Sequence, residues 1–197
     1  MITNESIMDA TLCMMAKNGI KGSTTRQLAE AAGINEATIF KKFKNKDNLI
    51  HMTLEVQFES MKAEINQFFD KDFESAKVFL RQASQFISDI YEKYRDFMVI
   101  SVREMGSKDM EFIDPSIVEY LYERVNQKVQ EMVPSKNSSQ EADAISLILN
   151  SVILLIMVEK VRDDIYKRPP TITTTADALA DVLLKIIEIN HEKLNKS

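Results

Sequence analysis

A single cysteine, Cys13, among 197 residues excludes a disulfide framework and any multi-thiolate metal site, and it fits a reducing compartment. Glycine and proline are sparse, four of each, so there are few points at which a helix must stop. Tryptophan is absent and there are only two histidines. His51 and His191 lie far apart in the chain, and no Ser/His/Asp set, phosphate loop or metal-ligand spacing accompanies them. The reading is therefore of a protein that is not an enzyme and needs no cofactor or metal. Long hydrophobic runs are missing too. The longest uncharged apolar stretch, 144–158, contains Ser146, Asn150 and Ser151 and falls short of the roughly 20 residues that span a bilayer. It reads as a buried helix, with no membrane partner. No basic segment leading into an apolar run opens the chain, so no signal peptide is expected and the cytoplasm is the expected compartment.

What remains is rich in Leu, Ile, Met, Glu, Lys and Gln, which favours helix almost throughout. The net charge of −5 taken alone argues against a nucleic-acid partner, but the average hides an asymmetry. The first 50 residues are net positive by two, so the remainder carries −7. Between Lys17 and Lys46 seven cations face only Glu30 and Glu36, a local excess that suits a phosphate-facing surface and equally a solvated charged face.

Periodicity and punctuation divide the chain into helices. Ile7, Ala10, Met14 and Met15 recur at helical spacing from Thr3 to Asn18, and Gly19 stops the run. Thr24 with Gln27 reads as a capping box for a short helix carrying Leu28, Ala29 and Ala32, which ends at Gly33. Asn35 is a good N-cap for a third helix through Phe43, anchored by Ile39 and Phe43. Asn45 can cap a long fourth helix from Lys46 to Phe69, which leaves the head and enters the body. Further helices are predicted at 74–93, 95–105, 115–133, 140–164 and 175–193, give or take roughly 2 to 4 residues at each end. Asp114-Pro115 offers a cap followed by a first-turn proline, 134–139 is a polar loop, Ser138 with Glu141 repeats the capping-box pattern, and Arg168-Pro169-Pro170 imposes extended backbone. The expected fold is all-α, with a three-helix head at 1–48 and a larger helical body at 49–197.

Two short helices joined by Ala32-Gly33-Ile34-Asn35 have the proportions of a helix-turn-helix, in which Gly33 permits the turn and Ile34 plugs the core. The second helix presents Glu36, Ala37, Thr38, Phe40, Lys41 and Lys42 outward, a polar edge that can enter a major groove. The run Thr24-Thr25-Arg26-Gln27-Leu28-Ala29-Glu30-Ala31-Ala32-Gly33-Ile34, followed by Thr38-Ile39-Phe40-Lys41-Lys42-Phe43-Lys44-Asn45-Lys46, resembles the head of the TetR family of transcriptional regulators. The resemblance spans about a quarter of the chain. It implies that the helix from Glu36 to Phe43 is the recognition helix, capped by Asn35, that Thr25 and Arg26 flank it on the DNA side, and that Lys46 meets phosphate. Residue chemistry is consistent: the lysines neutralise phosphates, Arg26 can fork onto guanine or phosphate, and Thr38 can touch backbone or a thymine methyl. Two positions depart from the family pattern. Phe40 stands where the family usually has tyrosine, and an acid stands at Glu36, where it caps the helix dipole or accepts from a cytosine amine.

In the body, the helix around 142–162 is apolar on nearly every face, so it needs either full burial or a partner. Leu149, Ile153 and Ile156, with Leu179, Leu183 and Ile186 of the last helix, are the expected faces of a four-helix homodimer interface. Pairing also suits a head that reads one half of a palindromic double-stranded operator. The resemblance implies an effector pocket for a small, largely apolar molecule among Phe58, Met61, Tyr94, Phe97 and Met98, with Arg103 and Asn150 as buried polar anchors; ordinary core packing accounts for the same residues. The functional expectation is a repressor released from its operator when the effector displaces the fourth helix. The alternative is a ligand-independent DNA-binding or architectural protein with the same head.

Overall fold

Local capping signals set the helix ends in the computed structural model, which describes residues 2–132 and 138–194, without the side chains of 138, 139, 141 and 186–194. The all-α expectation is borne out. The helices among the described residues are α1 (Asn4–Asn18), α2 (Thr25–Ala31), α3 (Glu36–Phe43), α4 (Lys46–Phe69), α5 (Ala76–Lys93), α6 (Arg95–Arg103), α7 (Ile117–Met132), α8 (Ser138–Tyr166) and α9 (Ala176–Leu194), with a short 3-10 turn at Lys108–Met110. The predicted ends agree to within a few residues. At Asp114-Pro115, a cis peptide, the chain stays irregular, and α7 starts only at Ile117. The polar loop expected at 134–139 and the Ser138–Glu141 capping pair rest on residues or side chains outside the description.

The chain packs as two units, Met1–Ala63 with Tyr94–Ile117, and Glu64–Lys93 with Val118–Ser197. In the first, Ile7, Leu28, Ala29, Ile39, Phe43 and Leu49 form a closed core, with Met8, Met14, Ala32, Ile34 and Met52 packed around it. α6 packs on α1, and Glu104 just beyond α6 accepts a hydrogen bond from the Ile20 N–H at 3.2 Å. The turn between α1 and α2 is tight. The buried Ser23 hydroxyl donates to the Gly19 carbonyl at 2.8 Å, and a Cβ placed on Gly22 would sit 2.2 Å from the Asn18 carbonyl oxygen. That obstacle is backbone and cannot rotate away. Gly22→Ala is therefore expected to destabilise the chain by about 1–3 kcal/mol, the usual cost of overpacking, read as a lowered thermal midpoint.

In the second unit, α5 buries Phe79, Leu80, Ala83, Ile87, Ile90 and Tyr91 on one face, and both α8 and α9 pack against it. Ion pairs fasten these contacts: Arg81 with Asp181, and Lys160 with Glu92 at 2.8 Å. Phe68, Phe69, Phe73, Phe79 and Phe86 make an aromatic cluster in which the Phe68 and Phe86 rings stack 4.1 Å apart. The stretch Ala142–Tyr166 is long and apolar enough to cross a membrane by length and composition, which corrects the shorter sequence count; a bilayer window tolerates charges near its ends. Its inner face, Ile145, Leu149, Ile153 and Met157, is buried within the chain.

α8 ends on a polar clamp. Asp163 is buried, and its carboxylate accepts from the Thr171 N–H at 2.6 Å and the Thr171 hydroxyl at 2.8 Å and pairs with Arg168. The Thr171 N–H, helped by Arg168, lowers its pKa from 3.8 to about 2. A carboxyl whose pKa falls on folding stabilises the fold above its unfolded pKa, and that contribution is lost as pH drops through the folded value. Asp163→Asn is thus expected to melt below the parent at neutral pH, with the gap closing between about pH 4 and pH 2; thermal melts across that range check it.

Candidate nucleic-acid interface

The two helices of the motif are held by their caps. At α2 the Thr24 N–H donates to Gln27 Oε1 at 2.9 Å and the Gln27 N–H donates back to Thr24 Oγ1 at 3.3 Å, completing the capping box read from sequence. The C-terminus closes with the Ile34 N–H on the Ala29 carbonyl at 2.9 Å and the Gly33 N–H on the Glu30 carbonyl at 3.1 Å. This paired closure needs a left-handed residue, and Gly33 supplies it with φ of 66°. Nothing lies within 4 Å of a Cβ built there, so glycine is required by backbone conformation and not by space. Ile34 then turns inward onto the core.

At α3 the Asn35 side-chain oxygen accepts from both the Thr38 N–H at 2.9 Å and the Thr38 hydroxyl at 2.8 Å. The hydroxyl is therefore engaged by the cap, which leaves the Thr38 methyl as the group free to meet a thymine methyl. Ile39 and Phe43 are wholly buried. Asn35, Glu36, Ala37, Phe40, Lys41 and Lys42 are exposed, Thr38 is half-buried, and Phe40 is 53% exposed. Phe40 thus keeps about half of its apolar surface in water, where it is available to pack against another surface. Glu36 sits in the first turn, where an acid favours the positive end of the helix dipole.

The cations differ in how they are held. Arg26 is exposed and pairs with Glu30 at 2.9 Å, a bond that raises the guanidinium pKa further. Thr25 is half-buried at the start of α2. Lys42 Nζ donates to Asn4 Oδ1 at 2.8 Å, tying α3 to the start of α1. Lys46 is half-buried and donates to the Ser23 carbonyl at 3.3 Å; an ammonium has three donors, so two remain for phosphate. Lys44 is exposed at φ of 70°, directly after α3. It belongs to the cationic run between Lys17 and Lys46, and its place between Lys41–Lys42 and Lys46 is the sequence signal that adds it to the candidate surface. The ten residues expected to face DNA all lie in the head, on α2, on α3 with its cap, and at the start of α4.

Residues 7–52 match the model of the bacterial regulatory proteins of the tetR family. The head is a TetR-family helix-turn-helix domain. Among curated relatives, an uncharacterized HTH-type transcriptional regulator, YvkB of Bacillus subtilis (strain 168), is 34% identical over 102 residues, 52% of this chain and 52% of that protein. The aligned stretch thus spans about half the length of that relative. The tetracycline repressor protein class D of Escherichia coli is 41% identical over 49 residues, 25% of this chain and 22% of that protein. Over nearly the whole chain the likeness is one of fold. The transcriptional regulator FadR from Bacillus subtilis, in complex with stearoyl-CoA, has a TM-score of 0.65 over 94% of this chain and 97% of that chain, at 15% sequence identity.

The other expected sites fare differently. Phe58, Met61, Tyr94, Phe97 and Met98 are buried within the first unit. Arg103 is exposed and not a buried anchor: it is the last residue of α6, where the helix end lets a long side chain reach water, and it lies beside Gly19. Asn150, in the second unit, is buried; its amide donates to the Ser146 carbonyl at 2.8 Å, and its side-chain oxygen has no partner among the described residues. Leu149, Ile153, Leu179 and Leu183 are buried within the chain itself, so they are core and not a surface offered to a second copy. Ile156 is half-buried, and the side chain of Ile186 lies outside the described ones. Among the described side chains, the large apolar groups that α8 and α9 do expose are Leu147, Ile148, Leu155, Ile165, Tyr166 and Val182.

Proposed function

We propose that this protein is a DNA-binding transcription regulator that acts as a homodimer on a palindromic operator, with the working boundary between DNA-binding head and sensing body near residue 48. The single observation that carries the reading is the exposed edge of α3, with its caps made, its anchors buried, and Ala37, Phe40 and Lys41 left facing out within a TetR-type match. A short helix that commits Ile39 and Phe43 to the core and leaves small, aromatic and cationic groups outside is built to be inserted into something polar and negative. Thr25, Arg26, Asn35, Glu36, Thr38, Lys42 and Lys46 complete the surface.

Dimerisation is supported by the uncovered side of α8. Leu147, Ile148 and Leu155 on α8, with Val182 on α9, are 41–59% exposed, and removing such groups from water on pairing contributes roughly 25 cal/mol per Å² buried. As a regulator it would work in the cytoplasm. Its effector would be a small, largely apolar molecule taken up by the body, releasing the operator through different affinities for two states of the chain; repression is the mode this reading takes.

Sedimentation of the full chain and its binding to mixed duplex DNA at low and moderate salt test the reading together. A dimer with salt-sensitive binding supports it. A monomer, or a dimer indifferent to duplex DNA at low ionic strength, overturns it.

A further inference from the structure

α2 carries two neighbouring charges, each at the helix end that suits the opposite sign. Arg26 stands in its first turn and Glu30 in its last, whereas the helix dipole favours acids at the N-terminus and cations at the C-terminus. The order is also the weaker one for residues four apart, since an acid preceding a base stabilises a helix better than the reverse. Even so the pair is made: Arg26 Nε donates to Glu30 Oε1 at 2.9 Å, with the two side chains 78% and 62% exposed. An ion pair so open to solvent contributes little to stability. Its placement therefore answers to something other than the folding of α2.

Arg26 belongs to the surface proposed to meet DNA, and a carboxylate bound to it there affects two kinds of contact in opposite ways. For a phosphate contact Glu30 is a loss, because it cancels the charge that draws the protein to any duplex. For a base contact it is a gain. The guanidinium is a planar fork of five N–H donors, of which Nε supplies one. With Nε on Glu30, Arg26 makes no other hydrogen bond among the described residues, so both Nη groups are left over. They form the outer end of the fork, and two parallel donors on a guanidinium match guanine O6 and N7. A carboxylate on Nε also restrains the plane of the fork before DNA arrives, which lowers the ordering cost of docking. Glu36, in the first turn of α3, attracts the same guanidinium from the neighbouring helix.

We propose that Glu30 is a positioning residue for base recognition, bracing Arg26 so that its two Nη groups read one guanine in each half-site of the operator. The inference rests on the proposed DNA-binding role and deepens it, because it gives Arg26 to a base and not to the phosphate backbone. It also gives an acid on a cationic surface a purpose. Glu30 weakens attachment to arbitrary duplex through its charge while sharpening the choice of one base pair through its hydrogen bond, and specificity is the difference between the two.

Duplexes selected by the full-length protein from a random pool at fixed salt, then titrated against versions changed at each base pair, test this. The parent is expected to demand a G·C pair at one position of each half-site, and Arg26→Ala to relax that demand by roughly 5- to 150-fold, the value of a bidentate base contact. Glu30→Ala is expected to relax the same position by roughly two- to tenfold, the value of one hydrogen bond, while binding unrelated duplex at least as tightly as the parent. Glu30→Gln keeps an acceptor at the same reach and is expected to recover part of the preference. Both alanine variants should melt close to the parent, as the pair is exposed. The assignment is overturned if Arg26→Ala weakens all duplexes alike, as loss of a phosphate contact does, or if Glu30→Ala leaves every base preference intact. It is equally overturned if Glu30→Gln does no better than Glu30→Ala, or if either alanine variant melts far below the parent, which makes the pair a brace for the helix alone. A protein that ignores duplex DNA sinks the proposed function as well, whereas one that selects an inverted repeat indifferent to both residues loses only this assignment.

Discussion

Phe43→Ala is expected to cost about 3–5 kcal/mol of stability, the range for truncating a buried aromatic, whereas Phe40→Ala, three residues away on the same helix, should change stability by no more than about 0.5 kcal/mol. Phe43 is wholly buried in the core made by Ile7, Leu28, Ala29, Ile39 and Leu49, while Phe40 is 53% exposed. Removing the Phe43 ring leaves a void among side chains from four helices, and a head of this size has no second core to fall back on. Denaturant melts read the first effect. The second variant gives the complementary result: a folded head with weakened DNA binding, since the exposed part of Phe40 lies on the edge of α3 proposed to meet DNA. If Phe40→Ala proved as destabilising as Phe43→Ala, the orientation of α3 would be wrong.

The paired replacement of Lys41 and Lys42 by alanine carries the other large effect. Each phosphate contact contributes about 0.9 to the slope of log affinity against log salt, so a homodimer losing two per subunit, four in all, should have its slope flattened by roughly 3.6 and its binding weakened on the order of a hundredfold or more at moderate salt, alike for all sequences. Both side chains are exposed. Among the described residues the loss is the surface hydrogen bond from Lys42 to Asn4 and a weak attraction between Lys42 and Glu5, so stability should hardly move. Anisotropy titrations at several salt concentrations separate this uniform electrostatic loss from a change of base preference, which is the outcome expected instead from altering Thr38.

The head was legible in the sequence almost to the residue because its signals are local. A capping box needs only Thr24 and Gln27, the turn needs only Gly33, and the N-cap of α3 needs only Asn35; each is decided within one helical turn. The packing of 94–117 with the head was not legible. It brings Glu104 to the Ile20 N–H across 84 positions of chain, and no pattern in either segment announces the other. Arg103 was misread for a related reason: an apolar run predicts burial for its members, but α6 ends at that residue and the last turn opens to solvent. The faces of α8 were misassigned because the helix is apolar all round. Periodicity fixes orientation only when one side differs from the other, and here the inward Leu149 and Ile153 and the outward Leu147 and Leu155 are chemically alike.

All of this turns on whether α3 enters a DNA groove in two copies related by a two-fold axis. Selecting bound duplexes from a random pool with the full-length protein at fixed salt, then reading the recovered sequences, puts that to the test. The account predicts an inverted repeat whose half-sites lie about one helical turn apart, roughly 34–36 Å from centre to centre, or a multiple of that. Recovery of a lone half-site, or of no preferred sequence at any salt, would contradict it.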